Sequence, residues 1–95
     1  MRNRYEVFLT KPAQKQFDKL PAYIRQSLRT WANLINGYGI ESMRRVPGYH
    51  DEPLRGQRLN QRSSRLSRGY RVIYREEPSG EIIVVMVLEV HKHDY

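Results

Sequence analysis

The chain has 95 residues, 39 % of them hydrophobic, and its seventeen Lys and Arg outnumber its ten Asp and Glu to give a net charge of +7. That length supports one domain over residues 1–95, with a core just large enough for one sheet under one helical layer. With no cysteine, disulfide frameworks, thiolate–zinc sites and cysteine nucleophiles are excluded, which suits a reducing compartment.

In chain order, Tyr5 to Leu9 reads as a first strand, and its apolar stretch Val7-Phe8-Leu9 is too short for a signal peptide. Thr10 can cap a helix with Pro12 in its first turn, and Ala13, Phe17 and Leu20 recur at helical spacing up to Pro21. Ile24, Leu28, Trp31 and Ile35 then form one apolar stripe, which predicts a second helix stopped by Gly37-Tyr38-Gly39 and packed on the first as a hairpin. Trp31 is a core residue on this reading. Ile40 to Val46 predicts a short third helix ended by Pro47-Gly48, and Tyr49 to Asn60 a polar, turn-rich connection. Ser63–Ser67 and Tyr70–Arg75 predict two strands; Arg71, Ile73 and Arg75 share the more basic face of the second. Pro78-Ser79-Gly80 marks a turn, and the β-branched run Glu81–Val90 a central strand buried on both faces. The fold class is α+β, in the order β-α-α-(short α)-β-β-β, with a twisted, mainly antiparallel sheet and helices on one face. The longest apolar run, Ile82–Leu88, falls far short of the ~20 residues of a membrane span. The expectation is a soluble cytoplasmic protein without membrane association.

Arginine dominates between Arg44 and Arg75, and its planar fork of donors matches phosphate oxygens where lysine offers a point charge. A surface this basic suits nucleic acid or an acidic partner, although a solvated, solubilising face has the same composition. Two segments carry proton-transfer groups. The loop Tyr49-His50-Asp51-Glu52-Pro53-Leu54-Arg55-Gly56 sets two acids among arginines, where a carboxylate is either a paired surface charge or a base kept ionised by its cationic neighbours. In the tail Glu89-Val90-His91-Lys92-His93-Asp94-Tyr95, strand alternation puts His91, His93 and Tyr95 on one face; the segment is either a proton-transfer device or a frayed end. A third metal ligand at recognisable spacing is missing, so no metal or other cofactor is expected. RNA carries its own nucleophile, the 2′-hydroxyl. Its cleavage needs a base, an acid for the departing 5′ oxygen and a fixed cation, and all three residue types are present.

The stretches Asp51-Glu52-Pro53-Leu54-Arg55-Gly56, Arg65-Leu66-Ser67-Arg68-Gly69-Tyr70-Arg71-Val72-Ile73-Tyr74 and Lys92-His93-Asp94-Tyr95, together with the element order, resemble toxins of the RelE/ParE superfamily over essentially the whole chain. The nearest resemblance is to ribosome-dependent mRNA interferases of the RelE, HigB and YoeB type. It implies that Glu52 is the general base, that Arg71 binds the scissile phosphate, that His93 is the general acid and that Tyr95 orients substrate. In YoeB-like endings His directly precedes Tyr, whereas Asp94 intervenes here, so His91 could share or take the acid role. Arg55, Arg58, Arg62, Arg65 and Arg68 would hold phosphates of mRNA and of 16S ribosomal RNA at the A site, and Tyr49 and Tyr70 are either base-stacking or packing residues. The resemblance further implies a cognate antitoxin, with promoter DNA bound only through the toxin–antitoxin complex. Two other functions stay open: a ParE-like inhibitor of DNA gyrase and a non-catalytic basic RNA-binding domain.

Overall fold

The computed structural model describes residues 4–92. Its elements run β1 (Arg4–Leu9), α1 (Lys11–Asp18), α2 (Ala22–Tyr38), α3 (Ile40–Arg44), β2 (Glu52–Pro53), β3 (Gln61–Ser67), β4 (Tyr70–Ser79) and β5 (Ile82–Lys92), with 3-10 turns at Pro47–Tyr49 and Gly56–Arg58. The strands form one sheet in the order β1-β5-β4-β3-β2, parallel between β1 and β5 and antiparallel elsewhere. This is the expected α+β architecture, with two corrections. The segment Tyr49–Asn60 contains an additional strand, β2, and β5 is an interior strand beside the edge rather than the central one.

Amphipathicity explains the helices. Ile24, Leu28, Trp31 and Ile35 of α2 are all buried, and they meet Val72, Tyr74, Val85, Val87 and Val90 in one core. Trp31 and Tyr74 meet edge to face with centroids 5.2 Å apart, a geometry worth about 0.5–1.5 kcal/mol beyond area burial. Gly39 ends α2 because its φ of 91° suits glycine and an added Cβ would come within 3.2 Å of the Tyr5 ring. The expected α1–α2 hairpin is loose. The two helices meet through Arg29 over the Phe17 ring, while α1 lies mainly on β5 and α2 on β1, α3 and β3. No helix of the described residues is long and apolar enough to cross a membrane.

One irregularity places the site. Ile73 pairs with Glu89 but Tyr74 pairs with Val87, so Leu88 is an extra residue in β5. Before it, Val85 and Val87 point into the core; after it, Val90 does, which turns Glu89 and His91 to the face without helices. The bulge is held from α1. Thr10 Oγ1 caps that helix by accepting from Ala13 N and donates to Leu88 O at 3.3 Å, while Gln16 Oε1 accepts Val90 N at 2.8 Å. Since β1 ends at Leu9, Gln16 satisfies a donor that the sheet no longer pairs. Burial of β5 is therefore concentrated on one face rather than both.

Candidate active site

On the face opposite the helices, strand pairing lays down two adjacent rows. Glu52 is opposite Ser63, Ser63 opposite Ile73, and Ile73 opposite Glu89. In the next row Arg65 is opposite Arg71, and Arg71 opposite His91. The connection from β2 to β3 folds over them, closing a cleft of about 250 Å³ lined by Glu52, Leu54, Arg58, Ser63, Arg71, Ile73 and His91.

Arg71 is the centre of this cleft. Its side chain is only 12 % exposed; Nη1 donates to Ser63 Oγ at 2.5 Å, and Nη2 lies 3.5 Å from Glu52 Oε1. Ser63 thus braces the guanidinium, a role that sequence reading missed and that only its pairing with Glu52 and Ile73 reveals. Glu52 is half exposed, so one carboxylate edge stays open to a ligand. His91 is beside Arg71 on the far strand, with Nδ1 3.2 Å from Lys92 O and Nε2 3.5 Å from Glu89 Oε1. Glu52 and His91 therefore flank one guanidinium, an arrangement able to set a proton acceptor and a proton donor on either side of a bound anion. His93 and Tyr95 lie outside the described residues.

The predicted phosphate-binding arginines separate into three groups. Arg58 lines the cleft and Arg65 extends its basic row. Arg55 and Arg68 are exposed on loops and are not among the residues that line the cleft. Arg62 points to the helix side, where Nε donates to Asp51 Oδ1 at 2.6 Å. Tyr49 and Tyr70 are packed against the core, which favours the packing reading for both.

Asp51 and Glu52 are neighbours with opposite fates. The Asp51 side chain is fully buried on the helix side, where Oδ2 accepts from Ser64 Oγ at 2.5 Å and Tyr74 OH at 2.6 Å. Arg44 Nε donates to the Tyr74 hydroxyl at 3.3 Å and lies 3.7 Å from Asp51 Oδ1, completing the network. Alternation along the chain sends the two side chains to opposite faces, and His50, just before the pair, is left-handed with φ 44° and ψ 49°. Burial, followed by the hydrogen bond to Asp51, raises the Tyr74 phenol above its ordinary 10.0; burial also raises Tyr49. A raised folded-state value means stability that is complete below the unfolded value and lost as pH climbs toward the folded one. The thermal midpoint should thus hold until about pH 10 and decline beyond it, and Tyr74→Phe should flatten that decline. A pH titration of thermal unfolding, wild type against variant, decides; identical alkaline slopes would remove Tyr74 as the cause.

No protein-family model matches the sequence, and no curated protein matches it significantly. Solved structures do. The chain is similar to the YoeB/ParE toxin from Agrobacterium tumefaciens at 18 % identity, covering 94 % of this chain and 99 % of that one, with a TM-score of 0.70. It is similar to a chain of the toxin–antitoxin complex RelBE2 from Mycobacterium tuberculosis at 26 % identity, covering 95 % and 99 %, with a TM-score of 0.65. A chain of the DinJ–YafQ toxin–antitoxin complex of E. coli matches at 15 % identity, covering 95 % and 93 %, with a TM-score of 0.69. The chain has the toxin fold of the RelE/ParE superfamily.

Proposed function

We propose that this chain is the toxin of a toxin–antitoxin pair and that its cleft cuts mRNA on the ribosome without a metal. The observation that carries the reading is the Glu52–Arg71 contact at 3.5 Å with His91 directly across the sheet from Arg71. Glu52 takes the proton of a 2′-hydroxyl, the 2′ oxygen bonds to phosphorus, and the bond from phosphorus to the 5′ oxygen breaks. Protonated His91 or His93 supplies the proton to that leaving oxygen. Arg71, held by Ser63, stays charged throughout and offsets the charge that builds on the phosphoryl oxygens. The products are a 2′,3′-cyclic phosphate and a 5′-hydroxyl. Arg58 and Arg65 would grip flanking phosphates, a contact without sequence information that weakens with salt.

The partners proposed with this reading are a cognate antitoxin, the ribosome with its mRNA, and promoter DNA only through the antitoxin complex; the compartment is the cytoplasm. Solved neighbours that are themselves toxin–antitoxin complexes support the first of these. The decisive assay incubates purified protein with programmed ribosomes, maps new mRNA 5′ ends and identifies the end groups. New ends bearing 5′-hydroxyls, dependent on the ribosome, are the expected result. Intact mRNA accompanied by loss of gyrase supercoiling would replace this reading with a ParE-like one.

A further inference from the structure

An acid beside a cleft meant for a polyanion is a liability, because it repels the ligand that the arginines attract. Glu89 is such an acid. The Leu88 bulge turns it to the cleft face, and it keeps 31 % side-chain exposure. Yet it is absent from the lining itself and touches two residues that do line the cleft. Its Oε2 is 2.8 Å from Arg58 Nη2, and its Oε1 is 3.5 Å from His91 Nε2.

We infer that Glu89 is a positioning residue whose carboxylate ties Arg58 to His91 and so fixes the cleft wall that faces Glu52 and Arg71. The inference rests on the cleavage reading above and adds to it the group that holds the acid side in place. Arg58 needs such a tie because it ends a single 3-10 turn in an irregular connection. A free arginine side chain there would lose its rotamer freedom on meeting a phosphate. His91 needs it because its strand has no β1 partner beyond Val87. The Lys92 carbonyl can accept only from Nδ1–H and the Glu89 carboxylate only from Nε2–H, so the two together hold the orientation of the doubly protonated ring, the form that has a proton to give. The other charges facing His91 are Arg71 on β4, Arg65 beyond it on β3, and Glu52 across the cleft on β2.

The bland alternative is a surface ion pair, and the two differ in sign. Glu89→Gln keeps the shape and removes one negative charge near the RNA. A surface pair predicts tighter RNA binding and an unchanged kcat. A positioning residue predicts that KM stays level or falls while kcat drops on the order of tenfold. The same substitution should add nothing in a His91→Ala background. Kinetics on programmed ribosomes read the first pair of outcomes; an unchanged kcat overturns the inference. A second arm needs no RNA. In side-chain ¹⁵N spectra of the free protein, the His91 Nε2 resonance should move on Glu89→Gln while that of His50 stays put. If the wild-type protein leaves mRNA intact, the functional reading falls, and this spectrum alone decides Glu89: a moved resonance upholds the tie to His91, an unmoved one removes it.

Discussion

Glu52→Gln should lower kcat for mRNA cleavage about 10²–10⁴-fold, the usual contribution of a positioned general base, and leave thermal stability unmoved. Glutamine fills the same space but accepts no proton from a 2′-hydroxyl. Little stability is at stake, because the contact with Arg71 is 3.5 Å long and half of the Glu52 side chain is in solvent. The binding side separates the base from its alternatives. If Glu52 only neutralised Arg71, losing its charge would free the guanidinium for phosphate and lower KM with kcat intact. If it is the base, kcat falls whatever KM does. Single-turnover cleavage on programmed ribosomes, wild type against variant, measures both. A variant that still cuts at the wild-type rate would place the base on another residue.

How far the sequence announces this site depends on what holds each part. The helix stripe from Ile24 to Ile35 and the alternation of Arg71, Ile73 and Arg75 are legible because one face of each element is buried and the period shows it. Strand β2 is illegible because two residues have no period, and its existence rests on pairing with Arg62 and Ser63. The same pairing separates Asp51 from Glu52, which composition cannot do. Arg62 looks like a phosphate ligand in the sequence because nothing local signals the buried acid that holds it. The extra residue Leu88 is hidden inside a uniform apolar run, and its anchors Thr10 and Gln16 are more than seventy positions away in the sequence. The grouping of Glu52 with Arg71 comes from resemblance; the structure adds Ser63 and Glu89 around them and separates Arg58 from the other expected phosphate ligands. β4 also runs beyond its predicted end at Arg75 and into the predicted turn as far as Ser79, because Glu76 to Ser79 continue the pairing with β5 and the reversal waits for Gly80, φ 64°.

Asp51→Ala should be strongly destabilising, by about 3–5 kcal/mol, as expected when one partner of a buried ionic network is removed. Ser64 and Tyr74 would lose their shared acceptor, and the Arg62 guanidinium would lose the carboxylate at 2.6 Å. A loss of that size is a large part of the roughly 5–15 kcal/mol that holds a typical domain together. Glu52→Ala, one residue on, should cost well under about 1 kcal/mol, the range of exposed ion pairs. Urea unfolding of the two variants at equal m-value tests the contrast, and equal midpoints would show that Asp51 is not the anchor. Because β2 pairs through only two residues, the same network is what fixes Glu52 over Arg71. Asp51→Asn, which keeps one acceptor oxygen and the side-chain shape, should therefore fold and yet lose kcat with Glu52 still in place. Under the proposed mechanism, a buried neighbour outside the cleft would then limit the rate through Glu52.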